Sequence, residues 1–220
     1  MFFKGLKLDK AAFVILMTVL VISVIFFGAV HAYAYSFVFI CISIACFILI
    51  KKNITKDVKT GKYAYRYLKT DLDLFFYLFL AYLLYQTMLL PEIIVRVISP
   101  EALAVGKMAR SPVSGFEQAK SAWFALSPYE YPVRQSFIRL VFYWLLFRCL
   151  VETLNTRERI NRAVVVILIL GSFEALYGLI ETYSGHGHIL WFRKITYIND
   201  VTGTFINRNH FAGFMEMGIL

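Results

Sequence analysis

The densest concentration of hydrogen-bonding chemistry lies in residues 202–213, which read TGTFINRNHFAG. Asn207, Arg208, Asn209 and His210 occupy four consecutive positions just before a new apolar run. Polar groups at the mouth of an apolar segment are costly unless they face a cavity or a ligand. The start of a helix also presents unpaired N–H groups, which favour anions. Arginine adds a planar, bidentate donor fork suited to phosphate. Asn and Thr are good N-caps as well, and an Arg at this level can snorkel to the lipid–water boundary. Two readings therefore stand side by side: an anionic-ligand site built from Asn207, Arg208, Asn209 and His210, or helix capping plus snorkelling.

Other chemistry-bearing residues are more dispersed. Glu174 falls inside an apolar run, and Arg139 and Arg148 fall inside the run before it. A charge at the centre of a membrane helix costs about 2.5–3.5 kcal/mol on insertion scales. Glu174 and Arg139 are thus expected in the bundle interior, hydrogen-bonded to a neighbouring segment, with a proton-relay or substrate role as the alternative. His186 and His188 form a short pair with no further ligand nearby, so no metal site is expected. Arg193 and Lys194, beside Trp191 and Phe192, read as interfacial anchors that could help collect an anionic group. The three cysteines, Cys41, Cys46 and Cys149, sit within apolar runs without metal or disulfide spacing and read as small apolar helix residues.

The elements that must position these groups follow from composition. Apolar residues make up 60% of the 220, and charged residues 17%. A soluble domain averages about 45–50% apolar and about 25% charged, so this chain carries more apolar surface than one soluble core conceals. Five runs approach the roughly 20 residues that span a bilayer: 11–30, 36–50, 74–90, 136–151 and 163–183. A sixth starts near Phe211 and contains only residues 211–220. The expected fold is all-α, a polytopic transmembrane bundle of five complete spans plus the start of a sixth, forming a single membrane domain over 1–220.

Charge distribution orients it. Lys4, Lys7 and Lys10 precede the first run; seven Lys and Arg residues fill the loop 51–70; Arg157, Arg159 and Arg162 precede the fifth run. These segments fall on one side of a five-span chain, the cytoplasmic side by the positive-inside rule. The external loop 91–135 and the segment 184–210 fall on the other. The net charge of +9 is therefore topological, and no nucleic-acid partner is implied. The first run exceeds the roughly 7–15 apolar residues of a signal peptide and is followed at once by a second, which argues against cleavage. Within 91–135, Ile93, Ile94, Val97 and Ile98, with Leu103 beyond, suit a short interfacial helix over 92–105. The basic, Tyr-rich loop 51–70 suits anionic headgroups.

The run GTFINRNHFAG resembles the G-T-F-x-N-x-N-x-F-A signature of the O-antigen ligase/polymerase family. Three further stretches, in matching order, resemble segments of that family: Gln86 to Pro91 followed by Ile98-Ser99-Pro100; Trp123 followed by Leu126-Ser127-Pro128; and Glu174-Ala175-Leu176-Tyr177-Gly178. The likeness extends from about Leu72 to the end. It implies a multi-pass protein of the bacterial inner membrane, with its N-terminus in the cytoplasm. It implies transfer of a saccharide from an undecaprenyl-diphosphate carrier to a lipid or saccharide acceptor at the periplasmic face, without a metal or other cofactor. An O-linked oligosaccharyltransferase is the closest alternative activity. A transporter subunit or a non-catalytic membrane fragment are the alternatives from other classes. The family's catalytic Arg and His residues lie in an external loop beyond the signature, so the chain is expected to be the front portion of a longer enzyme.

Overall fold

A computed structural model describes residues 2–56, 63–65, 68–109, 123–127, 129–185 and 187–219. In chain order the elements are helix α1 (Phe2–Ile25), a 3-10 turn (Phe27–Ala29), α2 (Ala32–Asn53), strands β1 (Ile54–Lys56) and β2 (Tyr63–Tyr65), α3 (Leu72–Thr87) and β3 (Leu89–Pro91). Then come α4 (Glu92–Ile98), α5 (Pro100–Ala109), β4 (Trp123–Ala125), α6 (Glu130–Thr153), α7 (Arg157–Tyr183), β5 (His188–Ile189), β6 (Phe192–Arg193) and α8 (Arg208–Ile219). Among the described residues every strand pair is a short antiparallel two-stranded ribbon. The chain forms two compact units, one of Met1–Tyr67 with Leu145–Leu220 and one of Leu68–Trp144.

The fold is thus mainly helical. Among the described residues, three helical segments are long and apolar enough to cross a membrane: Leu8–Ile25, Ala32–Asn53 and Arg157–Tyr183. The expected third span corresponds to α3, which has only 16 residues. The expected fourth lies in α6, which carries Arg134, Arg139, Arg148 and Glu152 along its length. On length and apolarity, three of the five expected spans stand clear.

Burial on α7 runs opposite to that of a soluble helix. Its inward residues include Gly171, Glu174, Gly178 and Glu181, whereas Ile169, Leu176 and Ile180 are each more than 60% exposed. Polar groups facing protein and large aliphatics facing outward suit a hydrocarbon environment.

In the first unit, α1 packs along α2 through Ala12, Leu16, Ala45 and Leu49, with Cys149 of α6 completing the cluster. The small residues allow close helix approach. One end of this unit is tied by charge. Asp9 accepts from Lys52 Nζ at 2.6 Å and from Arg159 Nη1 at 2.5 Å. Arg159 also donates to the Thr153 carbonyl at 2.9 Å, and Asn53 donates to Glu152 at 2.7 Å. The start of α1, the end of α2, the end of α6 and the start of α7 therefore meet at one end. The opposite end holds the turn between α1 and α2 and the segment following α7. There Phe27 packs edge-on against Trp191 and Phe192.

In the second unit, the expected single helix over 92–105 is two helices, α4 and α5. Pro100 has no N–H to continue α4 and restricts the residue before it; Ser99 is accordingly non-helical. Glu92 accepts from Arg96 at 2.5 Å and from Lys107 at 2.7 Å, which ties the start of α4 to α5. The Lys107 hydrogen bond foremost, then that of Arg96, holds the Glu92 carboxyl below the usual glutamate range. β3 pairs with β4, Leu89 opposite Ala125 and Pro91 opposite Trp123. The Ser127 N–H donates to the Gln86 carbonyl at 3.1 Å. The loop 51–70 contributes the end of α2 and the β1–β2 ribbon; its residues 57–62 and 66–67 lie outside the described residues, as do 110–122 and 128 of the segment 91–135.

Candidate functional site

The site is built on two carboxylates of α7. Glu174 and Glu181 are seven residues apart, two helical turns, and so share a face. Glu174 is fully buried. It accepts from the Thr204 N–H at 2.8 Å and lies 2.6 Å from the Thr204 hydroxyl. That hydroxyl also reaches the Val24 carbonyl of α1 at 2.9 Å. Glu181 accepts from the Gly203 N–H at 3.1 Å and the Thr202 N–H at 3.3 Å. The backbone of Thr202, Gly203 and Thr204 is therefore pinned to α7 by three N–H donors. This is how a non-helical segment is kept satisfied where water is scarce.

Glycine makes the approach possible at two points. Gly203 has φ +55, and a Cβ there would strike Glu174 Oε2 and the Phe211 ring. Gly178, one turn from Glu174 on the same face, would meet Val201 at 2.8 Å if it carried a Cβ. Phe205 then enters the core beside Val24 and Leu170, with Phe211 and Phe214 packed against it. The G-T-F portion of the signature thus has a physical role in each residue: clearance, a paired hydroxyl, and a core anchor.

A second layer fixes the approach segment. Buried Lys194 pairs with Glu181 and donates to the Asp200 carbonyl at 2.8 Å. Burial pulls the Lys194 ammonium below the usual lysine range, and the Asp200 charge opposes that pull. The expectation of Lys194 as an interfacial anchor is corrected: it is an interior counter-ion. Arg193 beside it is exposed. Sequence reasoning missed Glu181 and Lys194 as a pair. The available signal was the seven-residue spacing from Glu174 across Gly178.

The four residues singled out by sequence divide by role. Asn207 caps α8, its Oδ1 accepting from the Asn209 N–H at 2.8 Å. Arg208 is exposed and pairs with Asp200, Nη1 lying 3.1 and 3.2 Å from the two carboxylate oxygens. Its guanidinium stands 5.6 Å from the centre of the Tyr197 ring, and Tyr197 itself holds φ 53. A non-glycine residue in that region costs on the order of 1–3 kcal/mol and marks an over-determined position. The side chains of Asn209 and His210 are exposed at the first turn of α8. Asp200 also lines a cavity of about 300 Å³, together with Glu181, Thr182, Gly185, Gly187 and Asn199. The arrangement offers an exposed guanidinium and an imidazole at a helix N-terminus, with Arg208 tied through Asp200 to a hollow of mixed polar and apolar lining, which suits an anionic group bearing hydroxyls.

Glu174 sits in the interior, but its partner is the loop residue Thr204 rather than another span. Arg139 is exposed, not interior, on the portion of α6 that belongs to the second unit. His188 is exposed, and His186 lies outside the described residues. Among the described residues no three His, Cys, Asp or Glu side chains gather as a metal site. Leu89–Pro91 and Trp123–Ala125, parts of two stretches singled out in the sequence, are brought together by the β3–β4 pairing. In comparison with known proteins the chain matches no family model, no curated protein and no solved structure.

Proposed function

We propose that this chain belongs to a multi-pass glycan transferase of the O-antigen ligase/polymerase type, residing in the bacterial inner membrane. In this reading α1, α2, α3, α6 and α7 are the five spans and α8 begins a sixth. The end tied by Asp9, Lys52 and Arg159 faces the cytoplasm, and the end bearing Arg208 faces the periplasm. The donor is a saccharide on an undecaprenyl-diphosphate carrier, and the acceptor is a lipid or saccharide hydroxyl. Arg208 and the α8 N-terminus receive the diphosphate, Asn209 and His210 flank it, and the hollow beside Asp200 accommodates hydroxyls of the attached sugar. O-linked protein glycosylation remains the alternative transfer.

The observation that carries the reading is the clamp itself. Two buried carboxylates, a glycine with no room for a side chain and a buried lysine all serve to hold one loop. What that loop delivers is an exposed Arg and His at the start of a helix, the Arg paired with Asp200 of a neighbouring cavity. Rigid support behind an exposed polar group is what a binding site needs.

The Arg208–Asp200 ion pair favours a second reading, in which Arg208 is structural and the chain is a non-catalytic membrane component. Substitutions separate the two. In cells that depend on the gene for glycan attachment, Arg208→Ala is expected to abolish transfer and Arg208→Lys to retain a small part, because a lysine lacks the bidentate fork. Charge-assisted hydrogen bonds of about 1.5–3 kcal/mol each correspond to roughly tenfold to 150-fold in rate per bond. Asp200→Asn frees the guanidinium and is expected to preserve transfer. Equal loss with Arg208→Ala and Asp200→Asn, at lowered membrane levels of both, would favour the structural reading.

A further inference from the structure

We propose that Cys46 and Cys149 form a modification site, a dithiol that closes to an interhelical disulfide between α2 and α6. The two sulfurs stand 2.9 Å apart although the residues are separated by 103 positions. A disulfide needs about 2.05 Å between sulfurs, so closure asks the two atoms to approach by less than about 1 Å. Two features hold the pair in register. Cys149 is packed into the cluster of Ala12, Leu16, Ala45 and Leu49, with Cys46, Leu146 and Leu150 against it. Further along the same two helices, Asn53 of α2 donates to Glu152 of α6. Cys41, the remaining cysteine, is a partly exposed residue of α2 and has no sulfur beside it among the described residues.

The reaction is a two-electron oxidation. Both S–H bonds break, one S–S bond forms, and two protons and two electrons pass to the oxidant. The apolar wall around Cys149 excludes charged oxidants, so the fitting class is a neutral, bilayer-permeant two-electron acceptor. A diazenedicarboxamide is such a reagent, its N=N bond being reduced to the hydrazine. Closure ties α2 covalently to α6 beside the Asn53–Glu152 bond. It stiffens the end of the unit opposite Arg208 and stands whatever the ligand at that residue.

The test uses the full chain in detergent, treated with the diazenedicarboxamide and then alkylated, digested and weighed. The expected result is a peptide pair linked through Cys46 and Cys149, with Cys41 alone alkylated, and recovery of three alkylatable thiols after a phosphine reductant. The link should form at least about tenfold faster in the folded chain than in the same chain unfolded in dodecyl sulfate, because the fold holds the two thiols at a far higher effective concentration. A Cys41→Ser variant should go from two free thiols to none. Three alkylatable thiols after oxidation of the folded chain, or a link that uses Cys41, overturns the proposal.

Discussion

Replacing Gly203 by Ala places one methyl group where three constraints converge. The backbone holds φ +55, and the new Cβ would meet Glu174 Oε2 together with two Phe211 ring carbons at 2.7 and 2.8 Å. A left-handed conformation costs an L-residue about 1–2 kcal/mol, and a carbon forced into filled space about 1–3 kcal/mol, giving about 2–5 kcal/mol together. The relief routes are poor. Moving Glu174 leaves the buried Thr204 N–H without its acceptor, a further loss of about 1–3 kcal/mol. Moving Phe211 opens the cluster around Phe205. Gly213 is the matched control: it lies in α8, and a Cβ there meets nothing within 4 Å. Gly→Ala at an open helical position is neutral or stabilising by about 0.5–1 kcal/mol. The assay is the temperature at which half of the detergent-solubilised chain is lost from the monodisperse peak after heating. Gly203→Ala should melt well below the parent, and Gly213→Ala at or slightly above it. If the two variants melt together at the parent temperature, the clamp on α7 does not exist as described.

Further expectations test neighbouring parts. The Thr204 hydroxyl has one proton for two acceptors, the Val24 carbonyl and Glu174; a glutamine amide can donate to that hydroxyl and still accept from the Thr204 N–H. Glu174→Gln should therefore melt close to the parent, and Glu174→Ala should lose about 1–3 kcal/mol per orphaned group; the reverse order would refute the bonding pattern. Lys194→Met strands the buried Glu181 carboxylate and should cost about 3–5 kcal/mol, read in the same heating assay. The folded Glu92 carboxyl titrates below its unfolded value, so its tie to Lys107 contributes above the ordinary glutamate range and is lost as pH falls through the depressed value; the protection factors of the α4 and α5 amides, taken relative to intrinsic exchange at each pH, should fall only under that acidification. For topology, single cysteines at Asn155 and Ser184 in a background without the native three should react oppositely with an impermeant thiol reagent on spheroplasts. Ser184→Cys is expected to label and Asn155→Cys is not; the reverse pattern inverts the proposed orientation.

The helices were legible in the sequence because their determinant is local. Apolar runs bounded by Lys, Arg and Pro placed α2 and α3 to within about four residues, whereas α1 starts nine residues and α7 six residues before the runs that marked them. The alternation of basic segments anticipated that the start of α1, the end of α2 and the start of α7 share one end. What the sequence left open is which face of each helix meets protein. When the outside is hydrocarbon, lipid-facing and core-facing positions are both apolar, so periodicity no longer separates them. Only the tertiary structure could therefore bring Glu181 and Lys194 together, set Cys46 against Cys149, pair β3 with β4 and show that Gly203 has no space for a side chain. It likewise divided the four consecutive polar residues at 207–210, giving Asn207 to the helix cap and Arg208 to Asp200. Those assignments depend on neighbours contributed from distant parts of the chain, which residue type and spacing do not encode.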